Sequence, residues 1–184
     1  MFKYLLNLCS LKLFIDTNLN SSIKLLYEKI IIQSRKDDLF KRFLLSDTLD
    51  TRFDFIIIHL SLVMRSLKTT KYKGIIISQK LYDFMIDDMD KSLGEMGVGD
   101  TGINIRIKNI INASLGRHKV YDEALSNEED ALIKEAIVKN LYKGNSPPKN
   151  ILSDLIVYVR LQDKHINSIG SGNILMTTNL FCHI

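Results

Sequence analysis

Residues 50–67, DTRFDFIIIHLSLVMRSL, decide the fold. At about 100° per residue, Phe53, Ile56, Ile57, Leu60, Val63, Met64 and Leu67 form one wide apolar stripe. Phe55, Ile58 and Leu62 cover much of the opposite side. Only two thin polar lines remain, one of Asp54, Ser61 and Arg65 and one of His59 and Ser66. A helix that is apolar on both sides must be surrounded, so this segment is predicted to run through the middle of a helical bundle.

Helical spacing continues on either side of it. A helix is expected over residues 22–34, with Ile23, Leu26, Tyr27, Ile30 and Ile31 on one face, and a short one over 38–45. After Lys73-Gly74, the spacing predicts a helix over 78–93, with Leu81, Met85, Met89 and Leu93 four apart. Asp83, Asp87 and Asp90 share its other face, whereas Asp88 falls inside the apolar arc and needs a partner, because an unpaired buried carboxylate is costly. Three glycines at 94, 97 and 99 then break the helix, and Asp100 is placed to cap the next one, expected over 101–125. Ile103, Ile107, Ile110, Ser114 and Tyr121 share its inner face, with Arg117 at the edge. Ser126-Asn127-Glu128-Glu129 has the form of a capping box for a helix ending near Tyr142. Ser146-Pro147 fits the start of a last helix running to about Ile166. The expected fold is therefore all-α, a single-domain bundle of about six to seven helices. Its helical domain spans 21–168, behind an N-terminal extension over 1–20 and ahead of a poorly ordered tail over 169–184.

Composition agrees. A chain of 184 residues with 46% hydrophobic and 25% charged residues has room for one real core. Only 2 prolines and 9 glycines favour long helices over many short strands. The net charge of +4 permits contact with anionic lipid or RNA without demanding it, and no specific nucleic-acid partner is expected. Cys9 and Cys182, one near each end, make neither a disulfide framework nor a metal site and suit a reducing compartment. No run of about 20 apolar residues is present to cross a membrane. Residues 1–15 are rich in Leu, Phe and Ile but carry Lys3, Asn7 and Lys12. They read either as an ill-packed terminus or as a surface-lying amphipathic anchor.

The motifs argue against an enzyme. No nucleophile elbow, phosphate loop or zinc cluster occurs, and the four histidines have no metal-ligand spacing. Asp83 to Asp90 resembles the aspartate-rich helix of an enzyme that holds magnesium diphosphate, but a second facing acidic helix is missing. His59 and Met64 point about 140° apart and cannot share one heme iron. No catalytic residue and no cofactor is expected. The sharpest pair is Asp88 with Arg117, each on or beside an apolar face: either the glycine turn brings them together as a buried ion pair or capping contact, or Arg117 snorkels to water and Asp88 binds backbone amides.

Three blocks of the chain resemble the ubiquinol–cytochrome c chaperone family. The first holds Leu26-Tyr27, Gln33-Ser34-Arg35, Ser46-Asp47-Thr48 and Thr51-Arg52-Phe53-Asp54. The second holds His59-Leu60 and Leu62-Val63-Met64-Arg65. The third holds Asp88-Met89-Asp90 and Glu95-Met96-Gly97-Val98-Gly99-Asp100, followed by Lys108, Gly116-Arg117 and Tyr121-Asp122, with a weaker echo at Tyr158-Val159-Arg160. The chain departs from the family pattern at Gly94, Ser61 and Ser114-Leu115, where a basic residue, a bulky residue and an aromatic pair are usual; looser packing in the second half is the expected result. The resemblance implies an assembly chaperone of respiratory complex III that binds newly made cytochrome b, nascent or loading heme. It also implies a small co-chaperone, the ribosome and peripheral contact with the cytoplasmic face of the inner membrane. The residues it singles out are Asp54, His59, Asp88, Asp90, Glu95, Met96, Gly97, Val98, Gly99, Asp100, Gly116, Arg117 and Tyr121. A helical interaction module with another membrane or ribosome-associated client is the alternative reading.

Overall fold

A computed structural model describes residues 2–97, 99–126 and 130–183, with side chains described from residue 18 onward except at 100 and 101. Among the described residues the chain is a bundle of seven α-helices, α1 (Phe2–Ser34), α2 (Asp37–Arg42), α3 (Leu49–Leu67), α4 (Lys71–Glu95), α5 (Asp100–Ser126), α6 (Ala131–Asn140) and α7 (Lys149–Ile169), with one 3-10 turn at Lys68–Thr70. No strand occurs among them.

The stretch that decides the fold is where the sequence places it. α3 packs against α1, α4, α5 and α7. Every residue from Phe53 to Val63 is buried. Thr48 caps α3: its side chain accepts from the Thr51 backbone N–H at 3.2 Å. At the other end Arg65 draws three helices together. Its guanidinium lies 3.3 Å from a carboxylate oxygen of Asp122 on α5 and 3.3 Å from one of Asp163 on α7.

Several boundaries differ from the sequence expectation. The first helix begins at Phe2 rather than near Ser22; the anchor reading of residues 1–15 lies outside the described side chains. α4 starts at Lys71, because Gly74 does not break it. A Cβ at Gly74 would lie 1.9 Å from the Leu67 carbonyl oxygen, so the glycine lets the first turn of α4 close on the end of α3. Ser126 is not a cap. It ends α5, its hydroxyl donating to the Asp122 carbonyl and accepting from Arg65, and α6 opens after Asp130; Asn127, Glu128 and Glu129 lie outside the described residues. α7 opens at Lys149, because Pro148 itself is extended at ψ 140° and the residue before a proline is held out of the helical region. Gly97 has the positive φ expected of the interhelical turn, 77°.

The C-terminal segment is not loose. Ile174 and Leu180 are buried in the core, and the Gln162 side chain holds both backbone groups of Cys182, at 2.8 and 3.0 Å. Lys29 donates to the Thr177 carbonyl and the Phe181 ring stands edge-on to His59 at 5.2 Å. A Gly- and Ser-rich composition hid these three apolar anchors.

Two of the family departures meet in space. Ser61 and Ser114 border one void of about 20 Å³ between α3, α4 and α5. Both hydroxyls are paired, Ser61 with His118 at 3.0 Å and Ser114 with Tyr82 at 2.6 Å, so small polar groups replace apolar bulk without leaving an unsatisfied atom there.

Gly74→Ala is expected to cost about 3 kcal/mol through backbone overpacking, whereas Gly116→Ala, with open space around its Cα, raises stability by up to ~1 kcal/mol through helix propensity. Urea unfolding of the two variants checks both signs.

Candidate functional site

The residues singled out by sequence gather into two buried knots and one open groove. The first knot is centred on Asp54, whose side chain is fully buried on α3. Arg117 of α5 places Nε 2.9 Å from one carboxylate oxygen, and Lys143, just after α6, places Nζ 2.5 Å from the other. The Arg117 guanidinium also stacks over the Phe53 ring at 5.3 Å, and its Nε donates to Asn140 Oδ1 at 3.3 Å. Asn140 in turn donates to the hydroxyl of buried Tyr121 at 3.4 Å. Burial raises the Asp54 carboxyl above its usual range, and the two cations oppose that rise. Losing either cation would leave a buried carboxylate short of its counter-charge, which typically costs about 3–5 kcal/mol.

The second knot surrounds His59, also fully buried. Its Nδ1 lies 2.8 Å from the Phe55 carbonyl and 3.0 Å from the Ser34 hydroxyl. With the proton on Nδ1, Nε2 accepts from the Tyr158 hydroxyl at 2.7 Å, and that oxygen accepts from Gln33 at 2.8 Å. Burial pushes the imidazole down to about 4, so the ring is neutral at physiological pH. It is a satisfied core histidine that locks α1, α3 and α7 together.

Neither arrangement read from the sequence for Asp88 and Arg117 forms: they do not pair, and each finds a side-chain partner elsewhere. Arg117 is taken by Asp54. Asp88 instead accepts from the Tyr27 hydroxyl of α1 at 3.1 Å and faces Arg35, the residue just after α1, at 3.4 Å. Asp88 thus has the partners its place in the apolar arc requires, and they come from a segment far away in sequence. Burial and the neighbouring Asp88 charge raise the Tyr27 hydroxyl pKa.

These contacts join the three sequence blocks physically. Ser34 holds His59, Gln33 holds the Tyr158 hydroxyl that bonds His59, and Arg35, the next residue, holds Asp88. The open groove lies where the blocks meet, at the end of the bundle formed by the C-termini of α1 and α4, by α2 and by the N-terminus of α3. One part, about 700 Å³, is lined by Arg35, Phe40, Lys41, Leu44, Leu45, Asp47 and Arg52, among others. The adjoining part, about 250 Å³, shares Arg35 and Arg52 and adds Leu49, Phe53, Met89, Glu95 and Met96. Three of its apolar residues face solvent: Leu44 is 59% exposed, Met96 57% and Leu49 38%. Leu44 also carries a positive φ of 51°, rare for a bulky residue. Arg52 is fixed by a two-pronged pair to Asp47, at 2.5 and 2.8 Å. The result is an apolar trough with charged rims. Among the methionines of this stretch, Met85 and Met89 are core, whereas Met96 is exposed and offers the trough an adaptable side chain.

The remaining candidates divide as follows. Glu95, Gly97 and Gly99 are exposed around the end of α4, and Asp90 is exposed on the acidic face of α4. Val98 and the Asp100 side chain lie outside the described residues. Gly116 is on a separate face, bordering a groove of about 540 Å³ between α5 and α6. Sequence reasoning missed Lys143, Asn140 and Leu44. Lys143 has its own local signal, a positive φ of 52° just before Gly144, but nothing in its neighbours points to Asp54. Among the described residues no group of three or more His, Cys, Asp or Glu side chains is placed to hold a metal ion, and no helix is long and apolar enough to cross a membrane.

A family model described as Ubiquinol-cytochrome C chaperone matches residues 41–181. In fold the chain is similar to the crystal structure of the Cbp3 homolog from Brucella abortus, with a TM-score of 0.80 over 94% of this chain and 96% of that one at 23% sequence identity. No curated protein matches the chain in sequence.

The depressed His59 pKa sets a pH dependence. The unfolded chain takes up a proton near pH 6.5 and the folded one only near 4, so stability rises with pH across that window and falls on acidification. Between pH 7 and 5 the His59 contribution is about 2 kcal/mol. Guanidinium unfolding at the two pH values should show that loss in the wild type, and His59→Gln should remove it.

Proposed function

Because the chain belongs to the ubiquinol–cytochrome c chaperone family, we propose that it acts in assembly of the ubiquinol–cytochrome c reductase by binding newly made cytochrome b in the groove at the α1–α4 end of the bundle. The observation that carries the site is the exposure of Leu44, Leu49 and Met96 in one trough bounded by paired charges. A membrane protein leaving the ribosome exposes apolar segments interrupted by polar loops. An apolar floor with a charged rim suits both parts. Covering the three exposed side chains contributes roughly 1–2 kcal/mol each, enough for a reversible hold that later subunits displace.

The reading assigns no chemistry to the site. The buried knots set the helices in register, and the trough binds. A small co-chaperone, the ribosome and peripheral placement on the cytoplasmic face of the inner membrane belong to the same proposal, supported by the resemblance of the three blocks.

Tagged protein recovered after crosslinking in its own cells should carry cytochrome b. Met96→Glu with Leu44→Glu, both at exposed positions, should lower that recovery at least about tenfold while thermal melting stays unchanged. Recovery of other proteins without cytochrome b would overturn the client. Undiminished recovery of cytochrome b by the double variant would overturn the groove.

A further inference from the structure

The end of the bundle opposite the groove carries a second built feature, the corner where α3 passes through the 3-10 turn into α4. Lys71 opens α4 with φ 50° and ψ −124°, a conformation that residues other than glycine seldom adopt. Such strain persists only where the surroundings enforce it, and it gathers at places with a task. Here Gly74 closes tightly on the Leu67 carbonyl, and the reversal at Lys71 throws the next residue outward. Tyr72 is 76% exposed and Ile75, one turn further on the same face, is 67% exposed. Exposed Lys71 and Lys73 flank them. Between Asp54 and Asp83 there is no acidic residue at all, but five basic ones: Arg65, Lys68, Lys71, Lys73 and Lys80. Arg65 and Lys68 are committed to Asp122, which leaves the lysines of the corner to face outward.

We infer that this corner, Lys71, Tyr72, Lys73 and Ile75, is a docking face for an anionic phospholipid surface. Tyrosine sits well at headgroup level with its ring toward the acyl chains. Ile75 reaches the apolar boundary, and the lysines lay their stems along it while their ammonium groups meet lipid phosphates. The side chains project rather than line a trough, which suits a deformable surface more than a folded partner.

The direction of α1 agrees. Tyr27 of α1 meets Phe84 and Asp88 of α4, and Arg35 shares the groove with Ser92, Glu95 and Met96, so the two helices run parallel. The N-terminal end of α1 therefore points toward the corner. Docking there holds the groove about 35 Å from the lipid, the length of α4 between Tyr72 and Glu95. A client would then be held clear of the bilayer until release. The inference rests on the proposed peripheral placement at the membrane and gives it a face and an orientation; the lipid test uses no client, so its failure is distinguishable from failure of the cytochrome b reading.

The test is flotation of the purified full chain with vesicles of phosphatidylcholine, and of phosphatidylcholine with about one-third phosphatidylglycerol. The wild type should float with the anionic vesicles and less so as salt is raised. Lys71→Gln with Lys73→Gln should lower the partition constant roughly 30-fold. Tyr72→Ser with Ile75→Ser should lower it comparably, and Met96→Glu should leave it unchanged; melting curves establish that each variant is folded. Wild type that does not float with anionic vesicles, or corner variants that float as well as wild type, would overturn the docking face. Corner variants that keep lipid binding but lose cytochrome b would place a protein contact there instead.

Discussion

Everything in this bundle is arranged around the burial of α3 on all sides. From Phe53 to Val63 it offers water no face, so helices must surround it. The apolar residues supply the drive, each fully buried side chain contributing about 1.5–3 kcal/mol. That drive has no direction. Direction comes from the polar residues buried with them, Asp54, His59 and Ser61, because each must find a partner from another element or impose a penalty. Asp54 draws in α5 and the turn after α6, His59 draws in α1 and α7, and Ser61 draws in His118 of α5. Three polar residues on one helix thereby fix the placement of its neighbours.

The same constraint shapes the open end. Ser34 is fixed by His59 and Gln33 by Tyr158, and this sets the height at which α1 ends. Arg35 then meets Asp88, which sets the distance between the ends of α1 and α4. The trough is the space left between these held ends, α2 and the start of α3. Its exposed Leu44, Leu49 and Met96 sit on a rigid frame, so ordering the site costs little when a partner arrives. The opposite end is built differently. There the strained Lys71 and the close approach of Gly74 turn apolar and basic side chains outward.

The architecture was legible because α3 is so one-sided in composition and because the breakers are few. Periodicity gave the helices, and the wheel showed that Asp88 needed a partner. It did not give the partner. Arg117 is near Asp88 along the chain, whereas Tyr27 and Arg35 are not, and chain distance is a poor guide inside a bundle where α1, α4, α5 and α7 all meet α3. The family resemblance marked Asp54, His59 and Arg117 but could not separate residues that hold the frame from residues that touch a client. Burial separates them: these three are framework, and Glu95 and Met96 stand at the surface. The tail escaped notice because Ile174, Leu180 and Phe181 are isolated in a polar stretch, with no period to reveal them.

The central claim is that the joined blocks form a frame whose open end receives the client. A photo-crosslinking side chain placed in turn at Met96, at Gly116 and at Val157 tests it most directly, since these report the trough, the α5–α6 groove and an exposed face of α7. The account predicts adducts with newly made cytochrome b from Met96 and none above background from the other two. Adducts from Gly116 or Val157 with none from Met96 would contradict it.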